Sequence, residues 1–263
     1  MKKIACCAVA ALVFTLSFTA CDEFFSNSFG NQRKYDVSKI NVNAGNIDKW
    51  IDLAVGNPEL ADALVEKIIQ ELAKDNLGDA DKAKLLEGGV NLAVESSGLG
   101  ESILSNAAGA LGDLTDADDD KLEDILTDIL ENIWEDFNSG GGPKAADNIA
   151  EIASYALAND EGVVEFEDWY KDTAKPGDVA EAIMVLILGE LNDKDISIDN
   201  WSNLLEEGLH FGLTPDGNHV TVDAGASEKE KVLAAYLNLI VDGGPQFDSN
   251  PITSAIRDAF FNK

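Results

Sequence analysis

"LLEGGVNLAV", residues 85–94, returns 119 positions later as "LLEEGLHFGL", residues 204–213. The same offset carries Leu60 onto Val179, and each of these residues opens an apolar stripe. One stripe is Leu60, Leu64, Ile68 and Leu72; the other is Val179, Ile183, Ile187 and Leu191. Side chains four apart share one helix face, so each stripe predicts an amphipathic helix burying one side. Any two amphipathic helices can be aligned on their stripes, but two different segments sharing one offset and an L-L-E-x-G phrase indicate a duplicated helix pair.

Two further stripes fit the same scheme: Leu122, Leu126, Leu130 and Trp134, then Val232, Tyr236 and Ile240. The four stripes begin 62, 57 and 53 residues apart. Partner helices with smaller side chains lie between them, at Leu85–Val94, Ile149–Leu157 and Leu204–Leu213. With a one-residue adjustment "VNLAV" (90–94) also aligns with "ASYAL" (153–157), making Leu92, Tyr155 and Phe211 equivalent. "WIDLAV" (50–55) reads as an opening partner helix and "PITSAIRDAFF" (251–261) as a degenerate last one, as stacked repeats with atypical caps require. The predicted fold is all-α: stacked antiparallel helix pairs, helical-repeat or α-solenoid-like, with at most short β pieces in loops. An unrepeated all-α bundle is the alternative.

The joints carry their own marks. "GGGPKAAD" (140–147) is a turn into a helix with Pro143 near its start. Val163–Phe166 and His219–Val222 are β-branched runs expected to be brief extended pieces able to pair on one edge of the stack, the second opened by Pro215-Asp216-Gly217. "SGLGESILSNAAGALGDL" (97–114) reads as an extra Gly/Ala-rich helix packed closely on its neighbours.

The N-terminus is of another kind. Lys2 and Lys3 precede an apolar run from Ile4 to Phe18 and a small-residue exit at Thr19-Ala20, the pattern of a secretory signal over residues 1–20. That run is shorter than the roughly 20 apolar residues that span a bilayer. Phe18-Thr19-Ala20-Cys21 resembles a bacterial lipobox, after which a lipoprotein signal peptidase cuts to leave an acylated cysteine. Phe18 stands where the usual box has Leu, a relaxation found among spirochaete lipoproteins. The resemblance implies that Cys21 carries lipid; ordinary cleavage leaving a free Cys21 thiol is the alternative. Cys6 and Cys7 would depart with the leader, so Cys21 would be the one cysteine of the mature chain, and thioether linkage accounts for it. Several acyl chains at about 0.8 kcal/mol per buried methylene give lasting anchorage. Residues 21–45, rich in Asn, Ser and Gly, read as a lipidated flexible tether on the order of 30 Å long, and residues 46–263 as a single helix-pair repeat domain.

Charge narrows the partners. Asp and Glu number 49 against 19 Lys and Arg, a formal net charge of −30 that becomes −32 once Lys2 and Lys3 are removed. Nucleic-acid binding needs clustered cations to release phosphate counterions and is excluded; anionic membrane surfaces are likewise disfavoured, which leaves the lipid as the membrane contact. Acidity of this kind keeps an exported protein soluble.

No residue set predicts catalysis, a cofactor or a metal. The two histidines, His210 and His219, read as surface residues; His210 aligns with Asn91 and Ser154, a position tolerant of polar groups. Neither has a cysteine partner in the mature chain, and no Cys/His group has zinc spacing. "DLTDADDDKLED" (113–124) has seven acids in twelve residues, yet an EF-hand counted from Asp116 needs Gly at Lys121 and Glu at Thr127. Acids before a helix are otherwise explained by its N-terminal dipole, and "NDKDISIDN" (192–200) has the same two readings. "GLG" (98–100) and "GGG" (140–142) lack the Walker lysine. Trp50, Trp134, Trp169 and Trp201 lie on or beside helices, where core packing is expected; Trp169-Tyr170 could line a pocket.

Three functions of different class remain. An interaction scaffold would offer the surface of its stacked pairs to a protein partner. A small-ligand module would hold its ligand between pairs. In that respect the leader, the paired helices and "NPELADALVEKII" (57–69) are similar to the T-component lipoproteins of spirochaete TRAP transport systems, which implies a lipid-anchored transport accessory. An enzyme is the third, without a recognisable site. The expectation is an exported, lipid-anchored binding protein of the cell envelope, on its periplasmic face or outer surface, that presents a helical-repeat surface to a protein partner.

Overall fold

The computed structural model describes residues 35–74, 77–99, 131–157, 175–195, 213–216 and 219–242, with Phe247, Thr253 and Arg257 beyond them. The fold is all-α, with one short antiparallel strand pair among the described residues. Its helices are α1 (Ile47–Ala54), α2 (Pro58–Leu72), α3 (Asp79–Ser96), α4 (Gly142–Leu157), α5 (Pro176–Asp193) and α6 (Glu228–Asp242); residues 131–139 are also helical. Strands β1 (Leu213–Asp216) and β2 (His219–Val222) pair antiparallel, with Leu213 opposite Val222 and Asp216 opposite His219.

Local chemistry sets the helix ends. Gly56, at φ 68°, follows α1 in the left-handed conformation that glycine adopts without a Cβ clash. One residue later Asn57 caps α2, its side chain accepting from the Leu60 N–H at 3.2 Å, and Pro58 occupies the first turn, where a missing N–H costs nothing. Pro176 opens α5 in the same way. Ser227 and Glu230 form a reciprocal capping box on α6: the Glu230 N–H donates to Ser227 Oγ at 3.0 Å and the Ser227 N–H to Glu230 Oε2 at 2.6 Å.

Both stripes face the core. Leu60, Leu64, Ile68 and Leu72 are buried, as are Val179, Ile183 and Leu191; Ile187 is half-buried against the same core. Chain direction alternates through the stack. The N-terminal turn of α4 lies against the C-terminal end of α3 at Gly141 and Ser96, and the first half of α4 meets the last turns of α5 at Ala146 and Gly189. The C-terminal end of α5 in turn meets the start of α6. α4 packs against α2, α3, α5 and α6, so the pairs curl around it. α6 is buried on every side from Val232 to Ile240, as a helix enclosed by other elements must be.

Two glycines make the close crossings possible. A Cβ on Gly88 would fall 2.6 Å from Ile47 Cγ1 of α1, and one on Gly89 would be 3.0 Å from Ile68 of α2 and 3.2 Å from Ile152 of α4. The Gly-Gly of "LLEGGVNLAV" therefore lets three helices approach α3.

Two boundaries differ from the sequence reading. Residues 35–45, assigned to the tether, belong to the folded body: Ile40, Val42 and Ala44 are buried, and Tyr35 sets its ring edge on Trp50 at 6.4 Å. Asparagines that suggested a coil make a bonded turn, with Asn46 Oδ1 accepting from the Asn43 N–H and Asn46 Nδ2 donating to the Asn41 carbonyl, both at 2.9 Å. Leu213, assigned to the end of a partner helix, begins β1 instead. Pro215 has no N–H for a helix and disfavours helical geometry at Thr214 before it. His219–Val222 is extended as expected, and its partner is Leu213–Asp216. Val163–Phe166, residues 100–114 and residues 204–212 lie outside the described residues.

Candidate functional site

Ionisable side chains converge most deeply where α4, α5 and α6 meet. Glu190 near the end of α5 and Lys229 and Glu230 at the start of α6 are buried, at 2%, 7% and 6% exposure. Ser227 Oγ donates to Glu190 Oε1 at 2.8 Å. Lys194 Nζ lies 2.7 Å from Glu230 Oε1 and 3.6 Å from Glu190 Oε2, while Lys229 Nζ reaches Asp193 Oδ2 at 2.5 Å and Asp147 Oδ1 of α4 at 2.8 Å.

The electrostatics follow from these bonds. Burial works to raise the Glu230 carboxyl, but hydrogen bonds from Lys194 and from Ser227 outweigh it and hold the group below its ordinary value. Burial likewise works to lower Lys229, and the carboxylates of Asp147 and Asp193 outweigh it in the other direction. Each charge is spent on a neighbour across a helix joint. Chemically this is a fastener between α4, α5 and α6 in which each buried charge is met by a more exposed partner, so removing that partner leaves a buried charge uncompensated.

A second convergence lies between α3 and α5. Asn91 Nδ2 donates to Asp178 Oδ2 at 3.1 Å. Glu87, one turn before Asn91, is raised above the usual carboxylate range by burial and then by the Asp178 charge. Burial also raises Asp178, against the pull of Lys175 and the Asn91 bond.

The residues singled out in the sequence fall as follows. Cys21, His210, Trp169, Trp201, the acidic run 113–124 and residues 196–200 lie outside the described residues. His219 opens β2 at the surface with its Nε2 2.8 Å from Asp242 Oδ2 at the end of α6. Of 192–200, Asp193 and Lys194 are exposed residues that pair with the buried Lys229 and Glu230. Trp50 and Trp134 are half-buried against the core; Trp134 stacks on Phe137 with ring centres 6.1 Å apart. The glycines 140–142 serve close approach: a Cβ on Gly141 would overlap the Ser96 carbonyl, and one on Gly142 the Phe137 ring. Among the described residues no group of His, Cys, Asp and Glu is arranged to hold a metal ion, and no helix is long and apolar enough to cross a membrane.

Sequence reasoning missed the fastener. The Ser227-x-x-Glu230 spacing was its one legible mark; Glu190 and Lys229 become buried only through the packing of helices distant in sequence. No protein-family model, no curated protein and no solved structure matches this chain.

Proposed function

We propose that the chain is a lipid-anchored binding protein of the cell envelope, held by lipid on Cys21 and presenting its helical body to a protein partner. One observation carries this reading: the Phe18-Thr19-Ala20-Cys21 box directly ends the apolar run Ile4–Phe18 that follows Lys2 and Lys3.

The surface supports polar recognition. Val222, at 37% exposure, is the one large exposed hydrophobic among the described residues. With a chain this acidic, a partner meeting the described surface would do so through complementary cationic and hydrogen-bonding groups, which favour rate and specificity of association. A transport-accessory role of the TRAP T-component kind is the second reading; the likeness of the leader and of the paired helices favours it.

Fractionation of a bacterial host expressing the full chain tests the anchor. The chain should sediment with membranes and enter the detergent phase, and Cys21→Ser should release it to the soluble fraction. Equal partition of both forms would remove the anchor from the reading. Native mass spectrometry then separates the two roles: a stoichiometric protein complex supports the first, and a retained small molecule supports the second.

A further inference from the structure

Asn91 presents an anomaly at the contact of α3 and α5. Its Nδ2 donates to Asp178 Oδ2 at 3.1 Å, but its Oδ1 is buried without a hydrogen-bond partner. A buried acceptor left unpaired costs on the order of 1–3 kcal/mol. A charged carboxylate has no hydrogen to offer it, whereas a neutral carboxyl has one.

We propose that Asn91 and Asp178 form a proton-operated clasp between α3 and α5. When Asp178 takes a proton from solvent, its O–H donates to Asn91 Oδ1 while Asn91 Nδ2 keeps its bond to Asp178 Oδ2. The two side chains then make a cyclic acid–amide pair with two hydrogen bonds. Loss of the proton leaves one bond and an orphaned amide oxygen.

Burial favours the neutral form and outweighs Lys175, the Asn91 bond and the Asp178 backbone N–H, which favour the carboxylate. Glu87 of α3 feels the Asp178 charge, which adds to burial in raising Glu87. The cations nearby are weakly placed: Lys175 Nζ is 4.0 Å from Asp178 and largely exposed, and Lys84 is committed to Asp48 of α1 at 2.7 Å. On α5 itself Glu181 has its own contact. Of the groups on α4, Lys144 pairs with Asp62 and Glu66 of α2, Asp147 with Lys229, and Glu151 is exposed. On α6, Lys229, Glu230, Lys231 and Asp242 are paired with Asp193, Lys194, Glu228 and His219 respectively. Burial raises both Asp178 and Glu87. A group raised in this way is stabilising when neutral, so the clasp tightens as pH falls through its folded value and is complete at the ordinary carboxylate value near about 4. In an envelope protein such a clasp makes the α3–α5 joint firmer in acid than at neutral pH.

Thermal midpoints of the full chain between pH 7.5 and about 4 test this. Asp178→Asn mimics the neutral acid and should raise the midpoint at pH 7.5 by about 2–4 °C, the gap to the unaltered chain narrowing as pH falls and closing near about pH 4. In an Asn91→Ala background the same substitution should bring no such gain. An equal gain in both backgrounds would assign the effect to burial alone, and parallel pH curves for the two chains would overturn the clasp. Should Asp178→Asn fail to fold, the Asp178 carboxyl carbon and the Asn91 amide carbon are followed by NMR in the unaltered chain. Their common titration, above the ordinary aspartate range, supports the clasp; an Asn91 signal indifferent to the Asp178 titration overturns it.

Discussion

Gly141 passes so close beneath the carbonyl oxygen of Ser96 that a Cβ would overlap it. The contact pins the entry of α4 to the exit of α3, and it is backbone against backbone, so neither side yields by a rotamer change. Gly141→Ala should destabilise the chain by about 1–3 kcal/mol. Gly177→Ala is the control: a Cβ there meets nothing within 4 Å, near the start of α5, and should be neutral or stabilising by about 0.4–1 kcal/mol. Urea unfolding of both variants measures the difference; equal effects would refute the close approach.

The crossing of α1 over α3 predicts a coupled pair. Gly88→Ala collides with Ile47, and Ile47→Ala opens a cavity at a fully buried site. The double variant should be more stable than the sum of the two losses, with a coupling of about 0.5–3 kcal/mol in a double-mutant cycle. Simple additivity would mean that Ile47 does not limit the space at Gly88.

How far these features are legible in the sequence depends on their range. The stripes of α2 and α5 needed only helical spacing. His219–Val222 was marked by its β-branched residues. Its partner strand was not, because Leu213-Thr214-Pro215-Asp216 alternates weakly and its pairing depends on α6. There Asn238 takes the place of a third strand, accepting from the Val220 N–H at 2.7 Å and donating to the Val220 carbonyl at 3.0 Å. The docking of residues 40–44 was written in the alternation Ile-Asn-Val-Asn-Ala, which puts Ile40, Val42 and Ala44 on one face, but the Asn and Gly around it suggested a coil. The fastener was illegible for a different reason: burial of Glu190 and Lys229 is a property of three helices meeting, not of any one stretch.

Lys194 is the shared counterion of two buried carboxylates. Lys194→Met should destabilise by about 1–3 kcal/mol, less than a fully buried pair would cost because the Lys194 side chain is 34% exposed. Adding Glu190→Gln to that variant should recover part of the loss in a chemical denaturation series. No recovery would show that Glu190 does not feel Lys194.

The two carboxylate sites respond to acid with opposite signs. Glu230 is held below its ordinary 4.5, so its stabilisation is present above that value and is lost as pH falls from it through the depressed folded value. Asp178 and Glu87 are raised, so their contribution grows as pH falls from neutrality toward the ordinary carboxylate range. Denaturation midpoints across pH should therefore rise on mild acidification and fall below about pH 4, and Glu230→Gln should blunt the acid-side fall. A monotonic profile that Glu230→Gln leaves unchanged would contradict the assignment.

Anchorage through Cys21 is most directly tested by the intact mass of the mature full-length chain purified in detergent from a bacterial host. A lipid anchor predicts a chain lacking residues 1–20 and carrying a diacylglyceryl group with a further acyl chain on Cys21. A mass matching an unmodified chain, with the leader retained or with Cys21 as a free thiol, would contradict it.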